Sequence, residues 1–228
     1  MLRRPKWLLI GVAVLAAPFV ATFIYLNLLR DDPPARLTVD DVTTTTTSVG
    51  AAPSPVGIEG SWSVADGSVV AYRVLETLFG QSAEAVGRSK GVTGSLEVSG
   101  TQITQASFTV DMATFSSDES RRDGQFNGRI MAVDQFPTAT FVLASPIALG
   151  GEPADGVAIK VQARGDLTLH GVTKSVTFPL TAKRSGATVA VDGALTITFA
   201  DYGVDNPSGG PAQVGDKGAL EVLLVLNR

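Results

Sequence analysis

The chain has no cysteine and a single histidine, His170, in 228 residues. The first absence removes disulfide staples, thiol nucleophiles and thiolate metal sites, so any exported part must be held together by its core alone. The second leaves His170 as the only imidazole for acid-base work. Charge is also scarce, at 18% of residues, and unevenly placed. Arg3, Arg4 and Lys6 are the only charges before Arg30, and taking those three from the 18 basic residues leaves 15 against 22 acidic ones, a net charge of −7. So acidic a body argues against nucleic acid as a partner. Helical periodicity is sparse too, and together with 24 glycines and 12 prolines this points to a β-rich chain.

Trp7 to Leu29 is a stretch of 23 residues without a formal charge. As a helix rising about 1.5 Å per residue it would cover roughly 34 Å, enough to cross a bilayer's hydrocarbon. Its length, and the lack of a small-x-small cleavage site after it, set it apart from a signal peptide. The basic residues before it place the N-terminus in the cytoplasm and everything after Leu29 outside, with Trp7 and Tyr25 at the interfaces. Residues 1–30 are therefore expected to be a cytoplasmic start and one transmembrane helix, anchoring the chain in the cell membrane. Residues 31–58, with Asp-Asp-Pro-Pro, threonines from Thr43 to Thr47 and Pro53-Ser54-Pro55, have too little apolar content for a core and are expected to form a disordered linker.

Residues 59–228 carry the fold. Within Val157 to Leu169 the odd positions Val157, Ile159, Val161, Ala163, Gly165, Leu167 and Leu169 are apolar or small, while the even ones include Lys160, Gln162, Arg164, Asp166 and His170 beyond them. This period of two marks a strand with one dry face. His170-Gly171 interrupts it as a turn, and Val176, Phe178, Leu180 and Ala182 resume it, so the two runs form a long antiparallel hairpin. Similar runs contain Trp62, Val70, Val92, Phe108, Phe141 and Val189 through Phe199, and Leu220 to Leu226 is apolar on both faces. The expected fold is all-β, a closed antiparallel barrel of about eight strands and lipocalin-like size. Ser116 to Asp134 lacks alternation, but Phe126, Ile130 and Val133 recur at helical steps, predicting a short helix or long loop there.

Candidate chemistry is thin. His170 sits at a hairpin tip, the place of a turn residue. Gly87-Arg88-Ser89-Lys90-Gly91 matches G-x-S-x-G, yet a nucleophile elbow needs a helix after the serine and another strand follows here. Asp118, Glu119 and Asp123 lie among Arg121 and Arg122; with no histidine and no calcium-loop spacing, a solvated ion-paired loop fits better than a cation site. No catalytic or metal-binding residue is assigned and no enzymatic activity is expected. The phenylalanines of the β-domain are compatible with ordinary core filling or with cavity lining, because a barrel of about eight strands is either plugged by side chains or holds one elongated ligand.

Two separated motifs bear on that choice. Arg122-Asp123-x-x-Phe126, continuing to Met131-x-Val133-x-x-Phe136-Pro137-Thr138-x-Thr140-Phe141, and Leu167-Thr168-Leu169-His170-Gly171-Val172-Thr173-Lys174 resemble the hallmark stretches of the YceI-like family. Val86-Gly87-Arg88, Val92 to Leu96, Asp111-Met112 and Asp201-Tyr202-Gly203 also resemble members of that family found behind an N-terminal anchor. The resemblance spans about residues 60–228 and implies a lipocalin-like barrel whose tunnel binds a long amphiphile, a polyisoprenoid or isoprenoid quinone, with no cofactor beyond that guest. The expected lipid contacts are Phe108, Phe141, Leu167, Leu169, Phe178, Leu195, Ile197 and Phe199. Where the family's motif has a His-Leu pair this chain has Gln125-Phe126, and where it has Phe-Phe this chain has Ile130-Met131. The alternative is an envelope interaction module, packed solid and binding through its loops.

Overall fold

In a computed structural model the described residues are 32–42, 57–78, 80–209 and 212–228. Among them thirteen strands join one antiparallel sheet. They are β1 (Gly60–Val64), β2 (Val69–Leu78), β3 (Gln81–Ser89), β4 (Val92–Ser99), β5 (Gln102–Asp111), β6 (Ser116–Ser117) and β7 (Thr138–Leu143), then β8 (Ile147–Ala148), β9 (Ala158–Leu169), β10 (Val172–Ser185), β11 (Thr188–Thr198), β12 (Ala212–Val214) and β13 (Lys217–Asn227). The pairing order β1-β4-β5-β7-β9-β10-β11-β13 closes on itself, because β13 also pairs with β1 through Val64↔Leu226. Higher on β13 the place of β1 is taken by β2, which pairs with β3, and β3 in turn with β6. Three of the eight staves are therefore broken strands, β1 with β2, β3 with β4, and β5 with β6. Closure leaves no long exposed edge, as strands of this length require.

The β9–β10 hairpin runs in continuous register from Leu169↔Val172 to Ala158↔Lys183. Both turn residues have positive φ, 50° at His170 and 74° at Gly171, the backbone of a two-residue turn whose twist matches the strands it joins. Ala163, Leu167 and Leu169 are buried, as the alternation predicts. Val157 is not: it precedes β9 and is 53% exposed, because the ladder with β10 ends at Ala158. β10 and β11 pair only from Leu180↔Gly193 to Ser185↔Thr188 and then diverge.

The two apolar faces of β13 have separate causes. Leu220, Val222, Leu224 and Leu226 point into the barrel, whereas Leu223 and Val225 are buried on its outer wall. Over Val225 folds the turn before β2: Ala65 and Ser68 bond to its backbone and Gly67 packs against its side chain. One end of the barrel is stoppered by Ile58 and Trp62, whose Nε1 donates to the Ile58 carbonyl at 2.8 Å, with Arg228 lying over the indole at 5.2 Å. At the other end Ser120–Gln125 forms a short helix, α1, running into a π-helical turn at Phe126–Ile130. Phe126 and Val133 from this excursion are buried against the barrel top.

Residues 32–42 depart from the expectation of a disordered linker. They lie along the outer wall, ending in a 3-10 turn at Val39–Asp41. Arg73 Nη2 donates to the Pro34 carbonyl at 2.8 Å, Arg88 Nη2 to the Ala35 carbonyl at 2.5 Å, and the Val39 amide to Asp192 Oδ2 at 2.7 Å. Arg36 reaches Glu221 at 2.6 Å, Lys183 reaches Asp40 at 3.0 Å, and Val39 is buried. Poor apolar content did not free this segment, because its backbone carbonyls satisfy guanidinium groups of the barrel that need acceptors. No described helix is long and apolar enough to cross a membrane; the span expected at residues 7–29 lies outside the described residues, as do residues 43–56 of the linker.

Candidate functional site

The barrel is hollow. A cavity of about 700 Å³ runs up its axis, walled by the inward positions of nearly every stave. All eight side chains expected to meet a guest lie on this wall: Phe108 from β5, Phe141 from β7, Leu167 and Leu169 from β9, Phe178 from β10, Leu195 and Ile197 from β11, and Phe199 just beyond it. Alternation brings them together, since every second residue of a closed sheet must face the axis. Phe141 and Phe178 meet edge to face, with centroids 5.6 Å apart and planes at 78°. Phe141 has room because Gly165 lies beneath it, where a β-carbon would collide with the ring.

The mouth opposite Trp62 is rimmed by Leu78, Glu119, Arg121, Gln125, Arg129, Pro207 and Val214, contributed by the β2–β3 hairpin, the α1 segment and the loop before β13. Just inside stand Tyr72, Glu76 and Arg122, which the alternation did not single out as a group. Arg122 pairs with Asp118 and, at 3.6 Å, with Glu76 of β2. Burial works against its charge, but Asp118 and Glu76 outweigh that and hold its pKa above the ordinary value. The loop expected to be solvated is thus partly buried, and its arginine is neutralised by a strand forty-six residues earlier, a partner that local sequence cannot reveal. Tyr72 stacks on Phe126 at 4.9 Å and leans on Phe115 at 5.8 Å. Burial, helped by Asp123 and Asp118 and opposed by Arg122 and a hydrogen bond with Ser117, pushes the Tyr72 phenol up to about 12. It stays a neutral donor at the polar end of an apolar bore. Phe126, at the position where the hallmark motif has its leucine, fills this aromatic cluster, and Gln125 occupies the rim.

The remaining sequence candidates are structural. Ser89 is buried at the end of β3, its hydroxyl bonded to the Thr114 hydroxyl at 2.5 Å and accepting from the Gly91 amide at 2.9 Å; β4 follows and no helix does. His170 Nδ1 donates to the Tyr202 carbonyl at 3.1 Å, and the ring meets Phe136 edge-on at 4.5 Å. Among the described residues no three His, Asp or Glu side chains gather as a metal site would need.

A model of the YceI-like domain matches residues 62–226. The chain belongs to the YceI-like family. Its curated relatives include a UPF0312 protein of Pseudomonas putida, 32% identical over 108 residues that make up 43% of this chain and 53% of the relative. The chain thus spans about half the length of the curated relatives it matches. Among solved structures, Burkholderia cenocepacia BcnA is 26% identical, with a TM-score of 0.57 over 71% of this chain and 98% of BcnA. A polyisoprenoid binding domain from Saccharophagus degradans, implicated in plant cell wall breakdown, shares the fold at 16% identity and a TM-score of 0.58, over 74% of this YceI-like chain and 99% of that domain.

Proposed function

We propose that this YceI-like protein is a membrane-anchored, extracytoplasmic lipid-binding protein that holds one long isoprenoid or similar amphiphile in its barrel. The observation that carries the proposal is the continuous apolar cavity, about 700 Å³, closed below by Trp62 and open above. Support comes from the fold shared with the polyisoprenoid binding domain of Saccharophagus degradans. Each buried CH₂ contributes about 0.8 kcal/mol, while association costs roughly 4 to 15 kcal/mol, so only a long, slender, apolar guest repays its confinement. The eight wall residues from Phe108 to Phe199 would grip the tail, and Tyr72 and Arg122 would face its more polar end.

The alternative of a packed display module has no use for so large a void. Ser89 and His170, the sequence candidates for a catalyst, are both held in structural hydrogen bonds. Mass spectrometry of an organic extract from the detergent-solubilised full chain tests the proposal. A long isoprenoid amphiphile near one per chain is the expected result; recovery of detergent alone, with no lipid in native spectra, would overturn it.

A further inference from the structure

The segment 32–42 fixes an orientation as well as a distance. Its contacts descend the barrel wall in order: Pro34 meets Arg73, level with Ala219 of β13; Arg36 meets Glu221; Val39 meets Asp192, level with Leu223; and Asp40 meets Lys183, level through Ala190 with Val225. The mouth is at the Lys217 end of β13 and the Trp62 stopper at the Asn227 end. From Pro34 to Asp40 the chain therefore runs from mouth to stopper, about 20 Å for six residues of strand at ~3.3 Å each.

We infer that the rim of the cavity mouth is a membrane-docking surface, seated on the bilayer that residues 7–29 cross, so that lipid enters the bore directly from the membrane. The inference rests on the proposed anchor and guest. Leu29 and Pro34 are five residue steps apart, a reach of at most about 18 Å. Arg73 to Leu78, the climb from the Pro34 contact to the rim, is about 17 Å at ~3.3 Å per residue. That reach is long enough to let the rim touch the membrane surface and too short to let the stopper end, about 20 Å the other way from the Pro34 contact, touch it instead. A free tether from Arg30 to Gly57 could instead stretch to roughly 90 Å and would select no face.

The rim has the chemistry of a bilayer interface. Leu78 borders the opening, and about 10 Å from it at ~3.3 Å per residue, on the outer face of β2, Leu75 is 66% exposed, the largest exposure among the big apolar side chains of the described residues. Arg121 and Arg129 are exposed beside it and make no ion pair with another described residue, while the rim carboxylate of Glu119 is turned onto the Arg121 amide at 3.2 Å. Each such arginine near an anionic lipid surface is worth about 1 kcal/mol. On a domain that is acidic overall, apolar side chains beside arginines that meet no carboxylate among the described residues mark the end that faces lipid.

The absence of native cysteine makes the test direct. Leu75→Cys, near the mouth, and Ala187→Cys, in the β10–β11 turn at the stopper end, each carry a fluorophore on the full chain, reconstituted into phosphatidylcholine and phosphatidylglycerol vesicles containing a head-group quencher lipid. The Leu75 label should be quenched several-fold more than the Ala187 label. Equal quenching at the two positions, or stronger quenching at Ala187, overturns the docking inference while the anchor stands. Failure of the protein to float with the vesicles overturns the anchor itself and the inference with it.

Discussion

Phe178→Asp separates carrying a lipid from being folded. Phe178 lies midway along β10, paired with Ala163 of β9, half-exposed to the bore and edge-on to Phe141. In the empty protein the substitution removes one aromatic pair, worth about 0.5 to 1.5 kcal/mol, and leaves a carboxylate facing a cavity that opens to water. The expected loss of stability is about 1 to 2 kcal/mol, a fall in melting temperature of roughly 2 to 8 °C for a domain of this size. A bound tail changes the arithmetic. It would press against the carboxylate and strip its water, a penalty of several kcal/mol per ion even after relaxation. A loss of about 3 kcal/mol or more weakens binding over a hundredfold, since every 1.4 kcal/mol is about a factor of ten. Thr177→Asp is the control, one residue away on the exposed face. Lipid recovered per chain, by mass spectrometry of the detergent-solubilised protein, should collapse in Phe178→Asp and persist in Thr177→Asp, with melting curves showing both folded. Equal lipid in the two variants would refute the assignment of this wall as the binding surface.

Two further outcomes follow from the polar groups. Burial raises the Tyr72 phenol to about 12, so below pH 10 its contribution to stability is constant, and between about 10 and 12 the unfolded tyrosine ionises while the folded one does not. The stability difference between wild type and Tyr72→Phe should shrink by up to about 2 to 3 kcal/mol across that window in denaturant titrations, because each tenfold gap between the folded and unfolded ionisation constants is worth about 1.36 kcal/mol; a difference that stays flat would place Tyr72 in a wetter site. On the outer wall Arg73 and Glu221 form a buried pair at 2.9 Å, with Arg73 also at 2.7 Å from Glu84, whereas the side chain of Arg36 is 63% exposed. Arg73→Met leaves Glu221 without its buried partner and should cost about 3 to 5 kcal/mol in urea unfolding, against under about 1 kcal/mol for Arg36→Met; similar costs for the two would contradict the buried network.

The hairpin was legible because side-chain period and turn chemistry are both local: odd residues from Ile159 to Leu169 face in, and His170-Gly171 supplies the two positive φ values. The same logic assigned the inward faces of β5, β7 and β11. The α1 segment was legible as an interruption, but the partner of its Arg122 was not, since Glu76 lies on a strand far away in sequence. Residues 32–42 depart from their composition for a related reason. Composition reports how much apolar surface a segment can bury, and this one is held instead by carbonyls and carboxylates that meet arginines and a lysine of the barrel.

The amino-acid order by itself determined which face of each strand is dry, where the long hairpin turns, and which family motifs the chain carries. Whether the dry faces meet or leave a bore was decided only in three dimensions. Alternation sends side chains toward the axis, but the distance across that axis depends on how many staves close and how steeply they tilt, and those are properties of the whole sheet.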